Sequence, residues 1–275
     1  MELLLGTAGL GAVVVSGVLA SRLFSRLGRS YWLCGYFISL VFIGLLVTAR
    51  FNAALGASSP FSWVVAGRGR YVVTAWAIIL GLMTPVSRLH RRWERWVVCL
   101  LAGVFVVRFS AVPFLAPIFL RGDLSALRTQ LDPQGICLQS RDYTCGPAAA
   151  VTALKKLGFP AQEGEIAVLS HTSPVTGTLP VCLESALQSR YGPAGLRCRY
   201  RYFKSVAELK GAGITLAIVR DAFLRDHCVA VLGVSDKSVV VADPALGMLN
   251  IPREQFEKSW RFTGIILERR VAHNI

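Results

Sequence analysis

Four residues in the second half of the chain have the types and spacing for acyl transfer: Gln139, Cys145, His227 and Asp243. Cys145 ends the polar run Gln139-Ser140-Arg141-Asp142-Tyr143-Thr144 and precedes Gly146-Pro147-Ala148-Ala149-Ala150, so it opens an alanine-rich helix. Pro147 suits a first-turn position, where its missing N–H is no loss, and Gly158-Phe159-Pro160 supplies a stop. Unpaired N–H groups at a helix start carry partial positive charge, which favours a thiolate over a thiol there. Six residues upstream, Gln139 can return its side-chain amide to the same spot. With the backbone N–H of Cys145 it makes two donors for one oxygen, which an acyl-transfer transition state requires. Yet a cysteine at a helix start is more often a small buried hydrophobe than a nucleophile. The reading therefore depends on a base and an orienter elsewhere.

His227 and Asp243 supply them. His227 opens one β-rich run and Asp243 closes the next, and their midpoint falls on Ser235 in the intervening turn, Val234-Ser235-Asp236-Lys237. In an antiparallel hairpin, residues equidistant from the turn lie opposite each other, roughly 5 Å apart on one face. The spacing thus predicts Asp243 beside His227, holding one imidazole nitrogen and leaving the other for a thiol. Taken singly, such a His is usually solvated, and an Asp before Pro244 is usually a turn former. The remaining histidines are of that plain kind: His90 in a basic loop, His171 beside a Ser/Thr turn, His273 in the tail. Jointly, the helix-opening Cys, the upstream Gln and the His–Asp pair point to a nucleophilic cysteine.

The elements that must position these residues are read next. Of 275 residues 53% are hydrophobic, and the mean hydropathy is +0.52, too high for an ordinary soluble protein. Residues 1–120 hold eleven Arg, no Lys, and only Glu2 and Glu94 as acids. That leaves nineteen of the thirty basic and fourteen of the sixteen acidic residues for 121–275, the charge density of a soluble domain. The net charge of +14 could suggest nucleic acid, but the arginines sit between apolar runs. Membrane topology explains them better than a phosphate-binding face, so nucleic acid is not expected as a partner.

Four apolar stretches read as membrane helices: Leu3 to Ala20, Tyr31 to Thr48, Tyr71 to Val86 (the weakest, with a short apolar core) and about Trp96 to Leu120. The start Met1-Glu2 lacks the basic region of a signal peptide, so the first stretch is expected to be a retained helix. Arg108 falls inside the fourth; an intramembrane arginine is a functional hint by default, but the run is long enough for this one to sit off-centre and snorkel. The stretch Phe51–Arg70, with Pro60, reads as a loop that partly re-enters or lies at the interface. The loops 21–30 (Arg22, Arg26, Arg29) and 87–95 (Arg88, Arg91, Arg92, Arg95) are the richest in arginine, and by the positive-inside rule they face the cytoplasm. Both termini, and the domain that follows, then face outward.

From Arg121 the pattern changes. Residues 121–134 read as a helical linker, and 135–275 as helices followed by strands. Helices are expected at 145–157, 163–169, 179–190, 206–210 and 253–260. Strands are expected at 197–203, 214–219, 227–234, 238–242, 248–251 and 264–267. That order argues for an α+β domain with an antiparallel sheet. The seven cysteines form no CxxC and no zinc spacing, and no GxxxxGK[ST] phosphate loop occurs, so neither a metal nor a nucleotide cofactor is expected. Cys228 would point away from its neighbour His227 and is expected to be structural.

The order Gln139, Cys145, His227, Asp243, with Asp142-Tyr143-Thr144-Cys145-Gly146-Pro147-Ala148-Ala149 and Asp243-Pro244, resembles the papain-like peptidases that remove double-glycine leaders from bacteriocin precursors. The resemblance covers about Gly135 to Glu268. It implies Cys145 as nucleophile, His227 as general base, Asp243 as its orienter and Gln139 as oxyanion donor. Thr176-Gly177-Thr178 resembles the family's Gly-Thr turn, which makes Gly177 and Thr178 substrate-binding candidates. Members of that family are commonly fused to exporters, whereas here the apolar stretches precede the peptidase and no ATPase follows. The expectation is thus an α+β papain-like peptidase behind about four transmembrane helices, in a bacterial inner membrane and facing outward. It would act on a peptide or protein, with a separate exporter as a further partner. Two alternatives use the same stretch: an outward-facing amidase or transpeptidase, and a non-hydrolytic peptide-binding module.

Overall fold

The computed structural model describes residues 2–26, 33–58, 61–222 and 225–270. Arg29, Tyr31, Pro60 and His273 lie outside the described residues. Helices α1 (Glu2–Arg26), α2 (Cys34–Phe51), α3 (Ala53–Ala57), α4 (Phe61–Val65), α5 (Gly69–Met83), α6 (Arg92–Val106), α7 (Val112–Phe119) and α8 (Arg121–Ser125) come first. Strands β1 (Gln130–Leu131) and β2 (Cys137–Leu138) precede helices α9 (Cys145–Lys156), α10 (Glu163–Leu169) and α11 (Pro180–Tyr191). Then follow β3 (Leu196–Tyr202), β4 (Ile214–Ala222), β5 (Arg225–Val234), β6 (Ser238–Asp243), β7 (Gly247–Pro252), α12 (Arg253–Ser259) and β8 (Trp260–Arg269). The chain divides into two compact units, one of Met1–Asn52 with Trp63–Ile118, the other of Ala53–Ser62 with Phe119–Ile275.

In the first unit α5 packs against α1, α2 and α6. Small residues let the backbones approach: a Cβ at Gly17 would overlap Ile79, and one at Gly35 would overlap Thr84. Ser39 ties α2 to α5 by donating to the carbonyl of Ala77 at 2.6 Å. Residues expected in the first basic loop, Arg22 and Arg26, instead continue α1. The stretch expected as a loop carries the short helices α3 and α4.

Among the described residues, two helices are long and apolar enough to cross a membrane, Gly69–Val86 and Arg92–Phe119; Gly11–Ala20 and Cys34–Ala49 are shorter apolar helices. The stretch that looked weakest is thus one of these two, because a 3-10 turn at Thr84–Arg88 extends α5 through Pro85. A π-helical turn at Val107–Ala111 joins α6 to α7. Pro113 lies two residues beyond it. Proline has no N–H and its ring crowds the carbonyl four residues back, so a wider turn there keeps the helix running.

In the second unit six strands form an antiparallel sheet in the order β3-β8-β4-β5-β6-β7, as the run of helices then strands implied. The expected linker is helical only over α8. Asp132 then accepts the N–H groups of Gln134 and Ile136, and Gly135 takes a φ of +79°, so β1 folds back on β2. One sheet face packs against α9 and α11. Ala148, Ala149, Ala150 and Ala153 of α9 are fully buried there with Leu183, Leu187, Leu216 and Ile265. The opposite face buries Phe203, Val229, Val241, Phe256 and Trp260. Each buried large apolar side chain contributes about 1.5–3 kcal/mol.

Between β4 and β8 there is no room for a side chain at Gly264, whose added Cβ would lie 2.7 Å from the carbonyl oxygen of Leu216 and 2.8 Å from Thr215 Cγ2. Gly264→Ala is expected to destabilise the second unit by about 1–3 kcal/mol, the usual range for overpacking. Buried Trp260 gives a fluorescence signal for the thermal midpoint; an unchanged midpoint would refute this account of the strand spacing.

Candidate active site

Cys145 is the first residue of α9, and the loop before it is closed by its own side chains. Thr144, fully buried, receives the Arg141 N–H at 3.1 Å and donates back to the Arg141 carbonyl at 2.9 Å. On the far side of Cys145, a Cβ at Gly146 would lie 2.9 Å from Thr178 Cβ. Only glycine lets the helix start approach that turn so closely. Thr178 Oγ1 is in turn 2.7 Å from Thr172 Oγ1, while Gly177, with φ of +64°, pairs with Ser173 to close the turn. Gly177 and Thr178 therefore flank the cysteine loop.

The His227 Nε2 and Asp243 Oδ1 atoms are 2.8 Å apart. Oδ1 also accepts the N–H of Ala245 at 2.7 Å. Both side chains are largely enclosed, at 17% and 11% exposure. Cys145 is close enough to the imidazole to act on it together with Asp243. With Nε2 engaged by Asp243, Nδ1 is the nitrogen available to the sulfur. Gln139 reaches the same turn through its backbone, donating its N–H to the carbonyl of Pro244 at 2.9 Å. Its side-chain Oε1 is buried and has no hydrogen-bond partner.

The hairpin does not pair His227 with Asp243 in the register expected. Ala230 faces Ala242 and Val231 faces Val241, whereas nearer the turn Gly233 faces Val240 and Val234 faces Val239. β5 thus carries one extra residue, a bulge at Leu232. The turn centres on Asp236-Lys237, closed by Ser235 N–H to Ser238 carbonyl at 2.8 Å, and not on Ser235. On the inner register Asp243 lies across from Val229, so His227 is its diagonal neighbour. A diagonal separation of about 7–8 Å between such positions is spanned by the two side chains.

Burial is the largest single influence on His227 and opposes its charged form. The Asp243 hydrogen bond, the Cys145 hydrogen bond and the negative charges of both outweigh it and raise the imidazole to about 10. Burial likewise pushes Asp243 up, but the hydrogen bonds from His227 and the Ala245 N–H, with the imidazolium charge, hold it below its ordinary value. Other thiols differ. Burial, with Glu163 second, pushes Cys137 up to about 12, and burial followed by Glu184 does the same to Cys198. Cys228 is fully enclosed in the helix-side core and held well above the ordinary thiol range, by burial first and then by Cys145 and Asp243. That matches the structural part expected for it. All seven cysteines are free.

One neighbour of the site had no sequence expectation attached. Glu163, fully buried at the start of α10, accepts from the Ser140 N–H at 2.9 Å and lies 2.6 Å from Ser140 Oγ. Its only signal in the sequence is an acid at a helix start, which is common for reasons unrelated to catalysis.

A raised imidazole contributes stability that is fully present below its unfolded value, about 6.5, and is lost as pH rises through about 10. The His227 ring should stay charged through neutral pH in an NMR titration. Asp243→Asn and Cys145→Ala should each bring its deprotonation to lower pH. A ring already neutral at pH 7 in the unaltered chain would overturn this electrostatic account.

The sequence model of the peptidase C39 family matches residues 134–272. An uncharacterized protein of Methanothermobacter thermautotrophicus is 31% identical over 147 residues, 54% of this chain and 97% of that protein. A second, from Methanothermobacter marburgensis, is 29% identical over 143 residues, 52% of this chain and 94% of that protein. Among solved structures, the peptidase domain of Streptococcus ComA, a bi-functional ABC transporter involved in a quorum sensing pathway, is 20% identical with a TM-score of 0.43. That match covers 48% of this chain and 96% of the other. A double glycine motif protease from an AMS/PCAT transporter, in complex with its leader peptide, is 21% identical with a TM-score of 0.42, covering 53% and 96%. With its helices and antiparallel sheet in place over the matched residues, the chain belongs to the peptidase C39 family.

Proposed function

We propose that the chain is a membrane-anchored cysteine peptidase in which Cys145, His227 and Asp243 act as a triad and Gln139 as an oxyanion donor. The observation that carries this reading is the 2.8 Å contact between His227 and Asp243 on an imidazole that also engages Cys145. In the proposed reaction the charged His227 and the Cys145 thiolate form the resting pair. The sulfur attacks a peptide carbonyl, and the oxyanion is held by the Cys145 N–H and the Gln139 amide. His227 gives its proton to the leaving amine. Water, deprotonated by His227, then hydrolyses the thioester and restores the pair. Asp243 keeps the ring oriented with Nδ1 toward sulfur. Gly177 and Thr178 would line the approach to the scissile bond, and a peptide bond after Gly-Gly is the substrate class proposed.

The anchor is proposed to be a membrane domain of residues 1–120, most of which forms the first unit. Large apolar side chains point outward on α2 and α6, among them Phe37, Leu40, Trp96, Leu100 and Val104, each exposed by half or more. Such a surface is unfavourable in water and suited to lipid. Residues 121–134 would serve as the link and 135–275 as the peptidase domain. An exporter that carries the cleaved peptide is a proposed partner.

Two tests follow from this reading. A peptide ending in Gly-Gly-aminomethylcoumarin should release its fluorophore, and Cys145→Ala should abolish the release. Gln139→Ala should lower turnover on the order of 10²–10³-fold, the usual cost of one well-aligned oxyanion donor. Release that persists in Cys145→Ala would refute the nucleophile. The second test concerns sidedness: a phosphatase reporter joined after Ile275 should be active outside the cytoplasm, given the arginines of residues 21–30 and 87–95. Activity confined to a cytoplasmic reporter at that position would refute the orientation.

A further inference from the structure

Both oxygens of a fully buried carboxyl converge on the residue next to Gln139. Glu163 Oε1 accepts the Ser140 N–H at 2.9 Å, and Oε2 lies 2.6 Å from Ser140 Oγ. A glutamate serving only a helix start would face solvent or bond the first N–H groups of its own helix. Here the Glu163 N–H goes to Thr129 Oγ1 at 2.8 Å, and the side chain crosses to another segment. Ser140 Oγ is also 3.0 Å from the Arg128 carbonyl, so Glu163 and Ser140 together join the 128–129 segment, the start of α10 and the loop before Cys145. Burying a charged group is costly unless its hydrogen bonds are met, so its persistence at this place calls for a reason.

The reason lies in what holds Gln139. Its side-chain Oε1 has no partner, so no hydrogen bond to that oxygen fixes the amide. Fixation must come through the backbone, where the Gln139 N–H is bonded to Pro244 and the next N–H to Glu163. Two successive N–H groups bonded to two different elements hold the peptide plane between them, and with it the direction of the Gln139 side chain. An amide meant for a developing oxyanion must be held in this way, because a resting partner of its own would compete with the transition state.

We propose that Glu163 is a positioning residue that acts through Ser140 to aim the Gln139 amide at the oxyanion. The proposal rests on the reading of Gln139 given above.

The test compares two reagents on the full chain in detergent, with Cys145→Ala as the blank for the other thiols. p-Nitrophenyl acetate acylates Cys145 through an oxyanion: the Sγ–C bond forms, the C–O bond to p-nitrophenolate breaks, and the thiol proton stays on His227. Iodoacetamide alkylates the same sulfur by displacing iodide, with no oxyanion. Glu163→Leu and Glu163→Asp, which remove or withdraw the acceptor of the Ser140 N–H, should each slow acylation, on the order of 10²-fold for a group displaced by about 1 Å, while alkylation keeps its rate. In a Gln139→Ala background neither change should add a further loss, because the residues act as one unit. Equal losses of both reactions would make Glu163 a structural residue and overturn the proposal. So would unimpaired acylation, or losses that add to that of Gln139→Ala. Should Glu163→Leu not fold, Glu163→Asp decides, since it keeps a carboxyl but shortens its reach to the Ser140 N–H. Gln139→Ala alone separates the two levels: if it acylates at the normal rate, the reading of Gln139 itself fails.

Discussion

The site depends on one packing contact, the alanine face of α9 against β5 and β4. Alanine is short enough to let the helix lie close to the sheet, and no polar group is buried in doing so. Because α9 begins at Cys145, that contact fixes the sulfur at the end of the sheet where the imidazole stands. Larger side chains at Ala148 or Ala149 would lift the helix start away from β5 before they touched Cys145, His227 or Asp243. The thiol owes its place to hydrophobic burial several ångströms away.

The electrostatics of the pair also reflect position. His227 is enclosed enough that burial alone would keep it neutral, yet it stands between a thiol and a carboxylate. In a partly dry setting charges and hydrogen bonds act more strongly than in water, so its neighbours prevail over desolvation. Asp243 is itself held by the Ala245 N–H, so the carboxylate does not have to be fixed by the ring it orients. The turn at Asp243–Gly247 thereby serves both halves of the site, through its carboxylate to His227 and through the Pro244 carbonyl to Gln139.

Much of this was legible in the residues, for identifiable reasons. The α9 boundaries followed from Pro147 and Gly158, and the strands from their β-branched runs. The proximity of His227 and Asp243 followed from one turn between two strands. The register did not. The turn centres on Asp236-Lys237 and not Ser235, which moves the partner of Asp243 by three positions, and the bulge at Leu232, invisible to counting from a turn, takes one back, leaving a shift of two. The conclusion survived because two positions keep a side chain on the same face, whereas a shift of one would have reversed it. Glu163 was not legible because its partner Ser140 is distant in sequence. The third apolar stretch was underrated because its apolar core is short, whereas a 3-10 segment carries the helix on through Pro85, whose missing N–H at a first-turn position costs no hydrogen bond.

The strand order has a kinetic consequence. β4, β5, β6 and β7 are joined by short turns and pair in sequence, so this meander, which carries His227 and Asp243, closes through local contacts alone. β8 is the last of the six to be synthesised, yet it lies between β3 and β4. It must enter a slot whose two walls were made long before, and pairings at such sequence separation form slowly. Until it does, the flanks of β3 and β4 remain open to other strands, the condition in which nascent sheets aggregate. Gly264, which leaves the least room in that slot, sits in the strand that arrives last.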